Sequence, residues 1–135
     1  MKHPDSYLQL MNRWRLTRVI VKHIRDNLSN RDGTLRLLGI WDDTLNPGTL
    51  VDPHSHPNIE EVYYILEGNG EVLVGQETRL VNPGHIIYIP PNTIHTIRPR
   101  GNKPLRWITI AIAIDTQSEP PKIKAKPSTQ EPYIV

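Results

Sequence analysis

Apolar and β-branched residues fall in short runs between residues 17 and 114, and residues that favour turns separate these runs. Runs of this kind, bounded by Gly, Pro and Asn, are typical of β-strands. No convincing helical pattern interrupts them, which argues against a parallel α/β architecture. The predicted strands cover residues 18–24, 34–41, 62–66, 71–74, 77–81, 85–89, 93–98 and 105–114. The pattern therefore predicts an all-β sandwich or barrel.

The turns between the predicted strands are marked by Gly, Pro and Asn. Asn46-Pro47-Gly48 and Asn82-Pro83-Gly84 combine all three residue types, and Gly75-Gln76 is a shorter turn. Pro90-Pro91-Asn92 ends the strand before it. Gly68-Asn69-Gly70 is predicted to be the tight turn of a hairpin.

Several predicted strands are apolar on both faces. Tyr63 and Ile65 lie on one side of their strand, whereas Val62, Tyr64 and Leu66 lie on the other. One face can fill the interior of a barrel. The other face must be covered by a second sheet or by a partner subunit, and we therefore expect a homodimer.

The two ends of the chain differ from the strand-rich region of residues 17–114. Apolar residues in the segment 1–16 are spaced by three and four, which favours a short amphipathic helix or a docked arm. The segment 115–135 is rich in Pro, Lys, Ser and Thr. This composition is typical of a mobile tail, or of an extended arm that a neighbouring subunit binds through Tyr133-Ile134-Val135.

Composition narrows the classes of protein. The chain has 135 residues, which suits one domain, and it contains no cysteine, so disulfides and thiolate sites are excluded. No apolar run reaches membrane-spanning length, and the first residues lack the apolar core of a signal peptide. The net charge is +2, and the basic residues are not grouped with stacking aromatic residues. We expect a cytoplasmic protein that binds neither membranes nor nucleic acid.

Three histidines and a glutamate are candidates for a metal site. His54 and His56 are two residues apart, so in extended backbone their side chains point to one face. Glu61 follows on an alternating apolar run, and His95 comes after a later strand and a proline turn. Three imidazoles and a carboxylate that converge form a transition-metal site.

These residues resemble the first motif of the cupin superfamily, G-x5-H-x-H-x4-E-x6-G. The sequence supplies Gly48, His54, His56, Glu61 and Gly68 at the fixed positions. The neighbouring Glu60 is an alternative acidic ligand, but it lies one residue too far from the final glycine of the motif.

The second cupin motif, G-x5-P-x-G-x2-H-x3-N, is met in part. Gly84, Pro90 and His95 stand in place, whereas Asn92 replaces a glycine and Pro99 replaces an asparagine. Asparagine adopts the left-handed conformation more readily than most residues, so the first departure is mild.

The resemblance covers roughly residues 35–114 and has consequences for fold and cofactor. It implies a double-stranded β-helix, or jelly-roll barrel, and a homodimer. It also implies one divalent transition metal inside the barrel, held by His54, His56, Glu61 and His95. The donor set suits Fe, Mn, Ni, Cu or Zn, and the sequence does not choose among them.

Further residues are candidates for catalysis or substrate binding. His85 follows Gly84 where the family often has Asp, and it is either a turn residue or a group that orients a ligand or transfers a proton. Tyr63, Tyr88 and Trp107 are either core residues or a platform for the substrate.

Two arginines, Arg36 and Arg106, lie in apolar strands. An inward arginine would clamp a carboxylate or phosphate, whereas an outward one would be solvated. The sequence leaves both orientations open.

Three functions fit these observations, each with a small-molecule ligand in the barrel. The first is a metal-dependent oxygenase in which Glu61 also serves as a base. The second is a metal-dependent isomerase, epimerase or lyase with His85 or a tyrosine as the base. The third is a non-catalytic small-molecule binding protein.

Overall fold

The computed structural model of the chain describes residues 19–114. Predictions for the segments 1–16 and 115–135 lie outside the described residues. Within this range no helix is long and apolar enough to cross a bilayer. Two short 3-10 helices, Ile24–Asp26 and Asn30–Asp32, precede the strands. The seven strands are β1 (Leu37–Leu45), β2 (Ile59–Glu67), β3 (Asn69–Val74), β4 (Glu77–Val81), β5 (Ile86–Ile89), β6 (His95–Arg100) and β7 (Leu105–Ala113).

The strands form two antiparallel sheets. The larger sheet has the order β1-β7-β2-β5, and the smaller sheet has the order β4-β3-β6. Buried side chains from both sheets join in one core, which places the sheets face to face. The prediction of an all-β jelly-roll barrel, or double-stranded β-helix, is confirmed.

Alternation of side chains along each strand builds the core. In β7 the odd-numbered residues from Leu105 to Ala111 are buried, and the residues between them face outward. Burial of each large aliphatic side chain contributes about 1.5–3 kcal/mol. The fully buried members are Ile65, Ile87, Ile89, Leu105, Val72 and Ile97.

The predicted strand 18–24 is wrong over the residues that are described. Val19 and Val21 are exposed, and a 3-10 helix begins at Ile24. Within residues 19–114 no strand pairs with this segment. The preference of β-branched residues for strands has little effect without a neighbouring strand against which their side chains can pack.

The first strand of the sheet is displaced from its predicted position. The sequence predicts residues 34–41, whereas β1 runs from Leu37 to Leu45. Pairing with β7 extends to the last residue of β1, where Leu45 lies opposite Leu105. The polar residues Asp42 and Asp43 are therefore strand residues.

The predicted hairpin turn at Gly68 is also wrong. Strand β2 pairs with β5 and β7, and β3 pairs with β4 and β6, so Gly68 joins the two sheets. Its φ is 80°, and a β-carbon there would lie 2.2 Å from the carbonyl oxygen of Pro104. Glycine is needed both for the backbone conformation and for the close approach. The turn predicted at Gly75-Gln76 is confirmed as the β3–β4 connection.

Gly68→Ala should lower the free energy of unfolding by about 3 kcal/mol or more, because left-handed strain and a clash with backbone act together. Gly84→Ala is the matched control. Its φ is 91°, but its β-carbon would meet nothing within 4 Å. It should cost only ~1–2 kcal/mol. Urea unfolding of both variants measures the difference in the free energy of unfolding. Equal losses of stability in the two variants would contradict a clash between the added β-carbon and Pro104.

Candidate metal centre

The segment that carries His54 and His56 lies antiparallel to β6. The Val51 N–H donates to the Ile97 carbonyl at 3.0 Å. His54 and His95 exchange both backbone hydrogen bonds, at 3.2 and 2.9 Å. This pairing places residues that are far apart in the sequence side by side, and it brings the first two imidazoles next to the third.

The carboxylate comes from the opposite sheet. Glu61 lies on β2, paired with Ile89 of β5 and Ala111 of β7, and its side chain is buried. A turn at Pro57 and Asn58 separates it from His56, so the odd spacing does not send it to the other face.

Glu60 points away from the cluster. Its carboxylate accepts a hydrogen bond of 2.9 Å from the Tyr88 hydroxyl. Of the two adjacent glutamates, only Glu61 joins the histidines.

The four side chains converge closely enough to hold one metal ion. One donor atom from each of His54, His56, Glu61 and His95 lies within 4.8 Å of the others. The Glu61 Oε1 atom is 3.1 Å from His56 Nε2 and 3.7 Å from His95 Nε2. Two metal–ligand bonds of about 2 Å span a similar distance.

Backbone carbonyls set the tautomers of two imidazoles. The Nδ1 atom of His54 is 2.7 Å from the Asp52 carbonyl oxygen, and the Nδ1 atom of His95 is 2.9 Å from the Thr93 carbonyl oxygen. A carbonyl only accepts hydrogen bonds, so each Nδ1 carries the proton. Each Nε2 atom is left with a lone pair, the form in which imidazole binds a metal.

The buried ring of His95 is the clearest indication that the cluster binds a further group. It is 1% exposed, and its Nε2 atom has no hydrogen-bond partner within the described residues. Burial lowers the pKa of His95 and so favours the neutral ring. A buried polar atom without a partner is costly, and a metal ion would satisfy it. The residues present therefore fit a divalent transition metal.

A cavity of about 440 Å³ opens beside the cluster, a size suited to a small organic molecule. His54, His56 and Glu61 form part of its wall. The sequence candidates Tyr63 and Trp107 also line it, with their ring centroids 5.8 Å apart.

The Tyr63 hydroxyl keeps its proton at ordinary pH and can donate a hydrogen bond. Burial raises the pKa of Tyr63 well above its usual value, and the carboxylates of Glu61 and Asp43 raise it further.

The structure does not bring the other candidates to the cavity. Arg106 follows the inward-facing Leu105 and points to the opposite face, where it bonds Asp42 at 2.8 Å and Glu67 at 3.1 Å. Tyr88 also lies on this outer face and bonds Glu60. Of the two orientations that the sequence leaves open for Arg106, the structure shows the outward one, and Tyr88 likewise lies outside the cavity.

Arg36 and His85 lie outside the cavity as well. Arg36 is exposed, just before β1. His85 follows the turn 82–84, and its Nδ1 atom accepts the Asn82 backbone N–H at 2.9 Å. Of the two interpretations of His85, the structure supports a turn residue.

Two functional candidates, Asp43 and Thr109, are missing from the sequence prediction. Both line the cavity. The Trp107 Nε1–H donates to Thr109 Oγ1 at 2.9 Å, and the Thr109 hydroxyl donates to Asp43 Oδ2 at 2.7 Å. Alternation with Trp41 could have indicated that Asp43 faces inward, had the first strand been extended beyond residue 41.

Comparison with known proteins agrees with this geometry. A family model described as Cupin domain matches residues 41–111, which is more than half of the chain. The chain therefore belongs to the cupin family.

Solved structures share the fold. A cupin protein of Bacteroides fragilis superposes with a TM-score of 0.60 at 20% sequence identity. The match covers 84% of this chain and 97% of that protein. A predicted oxalate decarboxylase of Thermotoga maritima has a TM-score of 0.59 at 22% identity, with coverages of 70% and 100%. A putative sugar phosphate isomerase of Acidithiobacillus ferrooxidans has a TM-score of 0.54 at 26% identity, with coverages of 66% and 59%.

Sequence relatives match over shorter stretches. An uncharacterized protein of Methanocaldococcus jannaschii is 49% identical over 53 residues, which is 39% of this chain and 42% of that protein. A mannose-1-phosphate guanylyltransferase of Salmonella typhimurium is 34% identical over 67 residues, or 50% of this chain and 14% of that protein. The matches span less than half of the length of these relatives.

Proposed function

We propose that this cupin is a metal-dependent enzyme that acts on a small organic substrate in the cavity. One divalent transition metal would be held by His54, His56, Glu61 and His95. The observation that carries the proposal is the buried Nε2 atom of His95, which faces Glu61 without a hydrogen-bond partner among the described residues.

The donor set determines what the metal contributes. Three neutral imidazoles and one carboxylate suit Fe, Mn, Ni, Cu or Zn. When bound, such an ion acts as a Lewis acid with coordination positions left open for small molecules. The cavity beside the cluster gives a substrate access to these positions.

The protein side chains supply the remaining functions. Glu61 can accept a proton from a bound substrate, and the Tyr63 hydroxyl, which keeps its proton, can donate a hydrogen bond to it. Apolar side chains such as Val51 and Leu45 cover part of the cavity wall and limit the access of water.

Within the enzymes, oxygenation of the substrate is our leading proposal. A redox-active ion such as iron, held by His54, His56, Glu61 and His95, would supply the chemistry that activates dioxygen beside a substrate. The wall of the cavity is largely apolar and partly aromatic, which suits an organic substrate together with an apolar gas.

An isomerase is the second candidate, supported by the 26% identity to the putative sugar phosphate isomerase. In such a reaction Glu61 can accept a proton, and the Tyr63 hydroxyl can donate a hydrogen bond to the substrate. The described wall of the cavity includes neither Lys nor Arg, so it offers no cationic side chain for a phosphate group. This disfavours a sugar phosphate and leaves substrates without a phosphate group for the isomerase.

His54→Ala and His56→Ala should each abolish metal binding in a folded protein, because each removes one of four donors. In the parent protein, metal at about 100 times its Kd should stabilise the fold by about 2.7 kcal/mol. Elemental analysis and thermal unfolding with and without metal measure both effects. His85→Ala, a histidine outside the cluster, should keep the metal. A full complement of metal in either His54→Ala or His56→Ala would refute the proposed metal site.

The iron(II)-loaded protein should consume dioxygen with at least one member of a panel of phenolic, diketone and thiol compounds. An oxygen electrode measures uptake, and Glu61→Gln tests the role of the carboxylate. Product formation under nitrogen without uptake in air would instead support the isomerase. Metal-loaded protein that binds the compounds without converting any of them would support a binding protein.

The chain is also proposed to form a homodimer through the outer face of the larger sheet. Ile86 is 65% exposed and Tyr64 is 43% exposed on this face. Strand register aligns apolar outward residues in two rows, Ile40, Ile110, Val62 and Tyr88 in one and Ile108, Tyr64 and Ile86 in the other. An outward apolar face of this kind suits the same face of a second copy.

Ile86→Lys should convert the dimer into a monomer, because it places a charge in the apolar row. Light scattering coupled to size-exclusion chromatography would then report 15.5 kDa instead of twice that mass. Leu80→Lys is the matched control, since Leu80 is equally exposed but lies on the smaller sheet. A monomeric parent protein, or loss of the dimer in the control alone, would contradict the assignment.

A further inference from the structure

A chain of hydrogen bonds ends on a carboxylate in the cavity wall. Thr109 is 7% exposed, and its hydroxyl accepts the Trp107 Nε1–H at 2.9 Å. It donates its own proton to Asp43 Oδ2 at 2.7 Å. Because the tryptophan N–H is only a donor, the direction of both bonds is fixed. These two hydrogen bonds hold the Asp43 carboxylate in one orientation.

The carboxylate of Asp43 has spare capacity as an acceptor. A carboxylate offers about four lone-pair sites, and Thr109 uses one of them. The ion pairs among residues 19–114 include none with Asp43, in contrast to its neighbour Asp42, which is paired with Arg106. The described wall of the cavity also lacks Lys and Arg. Beyond Thr109, the described residues leave room on the Asp43 carboxylate for a donor group of a ligand in the cavity.

Asp43 is not among the residues whose donor atoms converge at the histidine cluster. It is opposite Trp107 on β7, whereas Ala111 of β7 lies between Gly39 and Glu61. Asp43 is thus two strands across and four residues along the sheet from Glu61. On a flat sheet this corresponds to about 10 Å across and about 14 Å along. A ligand in the cavity would meet the metal with one end and Asp43 with the other.

We propose that Asp43 determines which ligand the cavity accepts, by binding a hydroxyl or ammonium group at the end of the ligand remote from the metal. The inference rests on the proposed metal-dependent function, because the metal holds the first end. A carboxylate or phosphate at the remote end is rejected by repulsion from Asp43, with no cation among the described wall residues to compensate. Thr109 and Trp107 are positioning residues.

The test uses the zinc-loaded protein and 4-alkylcatechols as probes. The catechol oxygens bind the metal, and alkyl chains of increasing length end in ammonium, hydroxyl, methyl or carboxylate. Zinc has no redox chemistry and does not oxidise the catechol. Calorimetry and the fluorescence of Trp41 and Trp107, which both line the cavity, report binding.

At the chain length that reaches Asp43, the ammonium and hydroxyl probes should bind about tenfold more tightly than the methyl probe. The carboxylate probe should bind most weakly. Asp43→Asn should remove the preference for ammonium and keep most of the preference for hydroxyl, because the amide oxygen still accepts a hydrogen bond. Thr109→Val should reduce both preferences with unchanged zinc content.

Asp42→Asn is the matched control, since this neighbouring aspartate faces outward. It should leave the affinity order unchanged. Binding of unsubstituted catechol with no discrimination among end groups at any chain length would overturn the role of Asp43 while the metal site stands. If the protein binds no zinc, the proposed function fails first, and this inference fails with it.

Discussion

The candidate site depends on one backbone pairing, between residues 51–56 and β6. Two hydrogen bonds join His54 to His95, which places three imidazoles in one space although their positions in the sequence are far apart. Because the pairing uses backbone atoms, it leaves every imidazole free for other partners. The carbonyl groups of Asp52 and Thr93 then fix two of the tautomers. Loss of this pairing would separate the donors even if every side chain were kept.

The barrel completes the site by placing a carboxylate opposite the histidines. Glu61 projects from the central part of the larger sheet, while His95 belongs to the smaller sheet, so the cluster spans the interior. Strand alternation then separates the two faces of each strand. Leu105 and Trp107 point into the barrel, and Arg106 between them pairs with acidic residues outside. Arg106 and its acidic partners therefore lie on the outer surface of the sheet. The described wall of the cavity contains neither Lys nor Arg.

The cavity joins two chemically distinct ends. A site with three imidazoles lies at one end, and a fixed carboxylate, Asp43, lies along the wall from it. Tyr63 lies between the two carboxylates, and its hydroxyl keeps its proton. The larger sheet thus carries Glu61, Tyr63 and Asp43, and the smaller sheet with the segment that pairs to it supplies the three imidazoles.

The sequence by itself determined the class of fold and most of the turns, because these depend on local periodicity, and the motif spacing indicated the four candidate metal ligands that the fold brings together. Asn92, which replaces a glycine of the family motif, does adopt a positive φ of 56°. Only the tertiary structure decided that Gly68 joins two sheets, that Arg106 faces outward and that Asp43 belongs to the cavity. Each of these depends on which strands pair and in which register, and a chain of alternating apolar residues is compatible with several such pairings.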